Sequence, residues 1–173
     1  MKRLLLLLTI ISCCLLSWSA DRRNFDHDWL FTLGDEPVMA DRTYDDTSWR
    51  RLQLPHDWAI EGDFQVTNPS GASGGALPGG IGWYRKHFRI DEGGRLLWST
   101  PSSQVFIEFD GVYMNATVYV NGQEVGHRPY GYSSFEYDIT PFLLPDGDNV
   151  IAVRVDNGDQ PNSRWYSGCG IYR

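Results

Sequence analysis

The 173-residue chain holds only three cysteines, and two of them, Cys13 and Cys14, fall in its first 20 residues. Cys169 is then alone, so no intrachain disulfide can form and stability must come from a core. Cys169 is a poor candidate nucleophile, because no histidine lies near it in sequence and Gly168 and Gly170 flank it. No run of Lys and Arg forms a basic stripe, and the formal net charge is −7, which excludes nucleic acid as an expected partner. The four histidines, His27, His56, His87 and His127, are dispersed, so neither a metal nor a cofactor is expected. Beyond the first 20 residues there is no sustained 3.6-residue apolar period. Gly-x-Ser-x-Gly and His-Glu-x-x-His are also missing.

What the chain does have is export chemistry, aromatics and strand grammar. Residues 1–20 read as a signal: basic Lys2 and Arg3, apolar Leu4–Ile11, then small residues. The apolar stretch is too short for a comfortable membrane span. Two processing routes stay open. Cleavage around Ser17-Trp18-Ser19 or at Ala20 would release a periplasmic protein. Alternatively, Ile10-Ile11-Ser12-Cys13 resembles a lipobox, and lipidation at Cys13 would be the one link to a membrane.

The remainder, residues 21–173, has the length of one domain. Seven Trp, nine Tyr and eight Phe suit a β core, and also surfaces that stack on a pyranose. The clearest strand pattern is Val105–Tyr137. Val105, Ile107 and Phe109 alternate with Phe106, Glu108 and Asp110, and then Ala116, Val118 and Val120 alternate with Thr117, Tyr119 and Asn121. Asn121-Gly122 predicts a type I′ turn, with Gln123–Gly126 returning antiparallel. Further strands are expected at Asn24–Leu33, Arg50–Leu54, Trp83–Ile90 and Val150–Val155, the last being central, with Phe25, Trp29 and Phe31 in the core. Ile139–Leu143 reads as a short turn or 3₁₀ piece, Leu96-Leu97-Trp98 as an irregular apolar patch, and Pro145–Asn149 as a strong turn. Pro55 marks an edge or loop entry after Leu54. Thr67–Gly82, with six glycines and two prolines, predicts a long mobile loop, either a lid or a docking surface. Short strands between turns indicate an all-β sandwich or jelly roll.

Candidate functional residues concentrate after the last strong strand, in Asp156–Arg173. Asp156 and Asn157, at a strand end, could be aimed at sugar hydroxyls or a cation; equally, Asp156-Asn157-Gly158 could be a plain turn. Arg164, Trp165 and Tyr166 offer a guanidinium and two rings, for a ligand or for packing on each other. Glycoside hydrolysis needs two facing carboxyl groups, about 5–5.5 Å or about 6.5–9.5 Å apart. Sequence spacing does not show any such pair among Glu61, Asp63, Glu108, Glu124 and Asp156.

Five motifs occur in order: Leu54-Pro55-His56-Asp57-Trp58, Phe109-Asp110-Gly111-Val112, Asn115–Gly122, Gly131-Tyr132 and Ser163–Arg173. Together they resemble the N-terminal sugar-binding domain of glycoside hydrolase family 2, the β-galactosidase and β-glucuronidase group, over roughly Phe25–Arg173. The resemblance implies a jelly-roll domain placed before an immunoglobulin-like sandwich and a TIM barrel that carries the catalytic glutamates. Those residues are expected to lie outside this sequence, and whether the jelly roll has its last strand stays open. The implied ligand is a galactoside or related glycan, bound against the downstream barrel. Asp156 or Asn157 would contact the sugar, Arg164, Trp165 and Tyr166 would adjoin it, and His56, Asp57 and Trp58 would be structural. A stand-alone carbohydrate-binding module and a purely structural docking domain are the alternatives.

Overall fold

The computed structural model describes residues 22–90, 104–145 and 147–173. The expected signal, the Leu96-Leu97-Trp98 patch and part of the 145–149 turn lie outside the described residues. Among those described there are ten strands and no α-helix: β1 (Trp29–Leu33), β2 (Arg50–Leu52), β3 (Gly80–Phe88), β4 (Phe106–Phe109), β5 (Val112–Tyr113), β6 (Ala116–Val120), β7 (Gln123–Arg128), β8 (Phe135–Asp138), β9 (Asn149–Asn157) and β10 (Gly170–Ile171). Single 3₁₀ turns occupy Pro37–Ala40, Ala59–Glu61 and Thr140–Phe142.

Period-2 patterning decides the layers. An antiparallel sheet runs β2-β1-β3-β9-β6-β7, and the pairs β4-β8 and β5-β10 face it. This is a jelly-roll sandwich. The main core takes Trp29 and Phe31 from β1, Tyr84 from β3, Val118 and Val120 from β6, and Ile151, Val153 and Val155 from β9. Ile107, Phe109, Val112 and Ile171 complete it from the facing pairs. Each aliphatic side chain buried there contributes about 1.5–3 kcal/mol. The intervening residues Leu30, Trp83, Tyr119 and Ala152 point to the opposite face, against Met39, Ala40 and Trp49.

The Asn121-Gly122 turn forms as its sequence predicts. Both residues have positive φ, 52° and 83°, and Val120 pairs with Gln123 across a two-residue loop. Asn121 adds a tie that no turn rule foresees: its Nδ2 donates to the Phe142 carbonyl and to Asn149 Oδ1, both at 2.8 Å. Thr140–Phe142 is a 3₁₀ turn, and β9 is central, as expected.

Three boundaries differ from the sequence reading. β1 begins only at Trp29, because residues 24–28 turn on the Asn24–Asp26 side-chain bond and a positive φ of 59° at Asp28. β2 stops at Leu52, before the cis Leu54–Pro55 bond, and lies at the sheet edge. The glycine-rich stretch is not irregular throughout. Gly80, Ile81 and Gly82 belong to β3 and pair with Asn157, Asp156 and Val155, because β9 supplies an unbroken ladder for them. Ahead of them the chain forms hydrogen-bonded turns. Asn68 Nδ2 donates to the carbonyls of Asp63 and Ala76, and buried Ser70 donates to the Leu77 carbonyl.

Among the described residues one charged group is fully buried. Arg85, at 0 % exposure, donates from Nε to Asp46 Oδ2 at 2.7 Å and from Nη1 to the carbonyls of Met39 and Asp41. Its guanidinium lies 5.6 and 5.9 Å from the Tyr44 and Trp49 ring centres. His87 Nε2 lies 2.8 Å from the same Asp46 oxygen. Burial disfavours the ionised carboxyl, but bonds from Arg85 and His87 outweigh it and hold Asp46 below the ordinary carboxylate range. A depressed folded-state pKa stabilises above the unfolded value, about 3.9, and this share is lost as pH falls through the folded value. Asp46→Asn, which strands a buried cation, is expected to cost about 3–5 kcal/mol at pH 7 by urea unfolding. The variant should also lose less stability than the parent chain on acidification below pH 4.

Candidate functional site

The region singled out in the sequence, residues 156–173, leaves β9, crosses the sandwich end and returns through β10. Two side chains hold it, one at its own start and one from a distant part of the chain. The first is Asn157, the last residue of β9, which is 2 % exposed. Its Nδ2 donates to the Gly168 carbonyl at 3.0 Å and to Cys169 Sγ at 2.7 Å. Its Oδ1 accepts from Gln160 Nε2 at 2.7 Å and Asn162 Nδ2 at 2.5 Å. The amide is thereby saturated by its own loop.

The second is Asp57. Its Oδ1 accepts the Cys169 and Ala59 amides, both at 3.0 Å, and its Oδ2 accepts the Tyr166 hydroxyl. The neighbouring backbone adds His56 N–H to the Ile171 carbonyl, 2.8 Å, and Trp58 N–H to the Cys169 carbonyl, 3.1 Å. His56 is buried against Tyr84, with Nδ1 2.7 Å from the Tyr84 hydroxyl, and Arg50 Nη2 donates to its Nε2 at 2.7 Å. Burial lowers the His56 pKa and favours the neutral ring, outweighing Glu61, which pulls toward the imidazolium. Trp58 Nε1 donates to the Gly79 carbonyl at 3.2 Å. The Leu54–Trp58 motif is therefore a clamp on the terminal loop.

The clamped loop walls a small depression. Asn157, Asn162, Trp165 and Tyr166 line it together with Tyr113, Ser70, Ser163 and Ser167. Trp165 is 73 % exposed. The Tyr113 hydroxyl donates to Asn162 Oδ1 at 3.2 Å. No aspartate or glutamate lines the depression. Its walls offer amides, hydroxyls and rings, which suits hydrogen bonding to hydroxyls and stacking on an apolar face. Burial pushes the Cys169 thiol up to about 12, so it is protonated at neutral pH and not set up as a nucleophile.

Of the five sequence candidates, the structure brings three to the depression: Asn157, Trp165 and Tyr166. Asp156 and Asn157 are adjacent on a strand and therefore face opposite sides. Asp156 lies with Arg154, whose Nη2 donates to its Oδ2 at 3.1 Å, and its Oδ1 accepts the Gly158 amide at 3.0 Å. That second bond is the Asx turn offered as the alternative for Asp156-Asn157-Gly158. Arg164 is exposed, and among the described residues no ring lies under its guanidinium. Tyr113, Asn162, Ser163 and Ser167 were not singled out by sequence. Tyr113 sits beyond the alternating run, and the three loop residues have no periodicity; only the fold gathers them. Among the described residues no group of three or more His, Cys, Asp or Glu side chains is placed to hold a metal ion.

Removing the Asn157 amide should leave buried Gly168 and Cys169 partners unsatisfied. Asn157→Ala is expected to destabilise by about 1–3 kcal/mol, measured as a urea midpoint shift, whereas Asp156→Ala should cost under about 1 kcal/mol.

Comparison with known proteins agrees with this architecture. The family profile for the sugar binding domain of glycosyl hydrolases family 2 matches residues 22–173. The chain is 59% identical over 154 residues to Beta-galactosidase BoGH2A of Bacteroides ovatus, covering 88% of this chain and 17% of that protein. The crystal structure of a beta-glycosidase from Bacteroides vulgatus aligns with a TM-score of 0.82 at 45% identity, over 89% of this chain and 19% of that one. Bacteroides uniformis beta-glucuronidase aligns at a TM-score of 0.71 and 32% identity, over 87% of this chain and 17% of that one. This chain thus spans about a sixth to a fifth of each of these relatives. It belongs to glycosyl hydrolases family 2, as a sugar-binding domain of that family.

Proposed function

We propose that this chain is the non-catalytic N-terminal domain of an exported β-galactosidase-like glycosidase, and that its terminal loop forms one wall of the substrate pocket. The observation that carries this reading is the depression itself, where Trp165 stands largely exposed on a loop pinned at Gly168–Cys169 by Asp57 and Asn157. The wall is built to touch a glycan, and it has no carboxylate with which to cleave one. A hydrogen bond between neutral groups contributes about 0.5–1.5 kcal/mol. A dissociation constant of 1 mM requires about 4.1 kcal/mol. A wall of this kind gains by completing a pocket with a catalytic barrel rather than by holding a single sugar alone.

The sugar is a galactoside or a related glycan. Asn157 lines the depression but gives its amide to the loop, which leaves Trp165 and Tyr166 as the side chains to meet the sugar. Arg164, exposed on the same loop, is available to a longer or acidic ligand. The signal-like residues 1–20 support export, either to the periplasm or as a lipoprotein held at Cys13.

Grafting tests the reading. With residues 22–173 replacing the matching segment of Beta-galactosidase BoGH2A, the hybrid should hydrolyse 4-nitrophenyl β-galactoside. Trp165→Ala in that hybrid should raise KM about 3–10-fold, the worth of one aromatic contact. A folded, active hybrid indifferent to Trp165 would leave this domain a scaffold only.

A further inference from the structure

Beside the depression stands a second aromatic group that the pocket reading does not use. Tyr130 and Tyr132 are 58 % and 50 % exposed. The ring centres of Tyr130 and Tyr132 lie 5.6 Å apart, and those of Tyr132 and Tyr113 5.3 Å apart, both edge to face. Tyr113 is itself a wall of the depression. The Tyr132 hydroxyl donates to Ser167 Oγ at 2.7 Å, reaching the loop that carries Trp165. The aromatic row therefore runs without a break from the depression outward.

The row is also fixed in place. Gly131 lies flat on the Tyr113 ring, so that a Cβ there would come within 2.3 Å of it. The Tyr172 hydroxyl donates to the Gly131 carbonyl at 2.9 Å. A turn held at both its residue and its carbonyl presents two exposed rings at little further entropic cost on binding. Tyrosine combines a rigid apolar face with a polar tip and few rotatable bonds. By contrast, the other exposed apolar residues near the glycine-rich turns, Ile60, Phe64 and Val66, carry no hydroxyl. Those suit a protein surface; the tyrosine row suits a ligand that is apolar on its faces and hydroxylated on its rim.

Resting on the pocket reading above, we propose that Tyr130 and Tyr132 form a glycan platform extending the site, which receives the sugar units that follow the terminal one in an oligosaccharide. The substrate class is thus an oligosaccharide chain rather than a single glycoside.

The test compares two substrates in the full-length hydrolase: 4-nitrophenyl β-galactoside, and a tetrasaccharide ending in the same β-linked sugar. Tyr130→Ala should raise the tetrasaccharide KM about 3–10-fold relative to the nitrophenyl KM, with kcat little changed and Tyr130→Phe restoring most of the difference. A KM ratio unmoved by Tyr130→Ala overturns the platform. If the hydrolase cleaves neither substrate, the pocket reading falls, and the platform is judged by calorimetry of the tetrasaccharide on residues 22–173. Saturable binding lost in Tyr130→Ala would then support it, and identical titrations of the two proteins would overturn it.

Discussion

A carboxylate at position 57 holds a loop that arrives 112 residues later. Asp57 accepts the Cys169 amide, the Ala59 amide and the Tyr166 hydroxyl, so one buried-edge side chain closes the end of the sandwich. Without that acceptor, the segment after β9 would have two polar groups to satisfy and only solvent to satisfy them. The glycine-rich turns and β10 are tied to this closure, because Trp58 donates to the Gly79 carbonyl and the His56 and Trp58 amides donate to the Ile171 and Cys169 carbonyls.

The clamp explains why the outer surface of the loop presents rings and hydroxyls rather than charge. Asn157 spends all four of its hydrogen-bonding positions on the loop. Asp57 likewise faces the loop backbone. What the clamp leaves exposed is the outer side of the loop, with Trp165 and Tyr166. Charge on this protein works elsewhere, as in the buried Arg85–Asp46 pair that anchors the opposite face of the sheet.

Much of the fold was legible in the sequence, because period-2 alternation in β4, β6 and β9 and the Asn121-Gly122 turn are local signals. The start of β3 was not legible. Gly80 and Gly82 read as loop residues, and only the ladder offered by β9 makes them strand. The segment after β9 was legible as an irregular loop, but its contacts were not. Asp156 and Asn157 could not be separated by composition, yet strand alternation sends one to the Arg154 side and the other inward to the loop. Tyr113 and Asn162 gave no local signal, since their roles come from tertiary contact alone.

Amide hydrogen exchange on Asp57→Ala reads the hold of Asp57 on the terminal loop. Protection at the Cys169 amide is expected to fall at least 10-fold, the equivalent of about 1.4 kcal/mol, while the paired amides of β3 and β9 keep theirs. Unchanged protection at Cys169, or a uniform loss across the whole sheet, would contradict it.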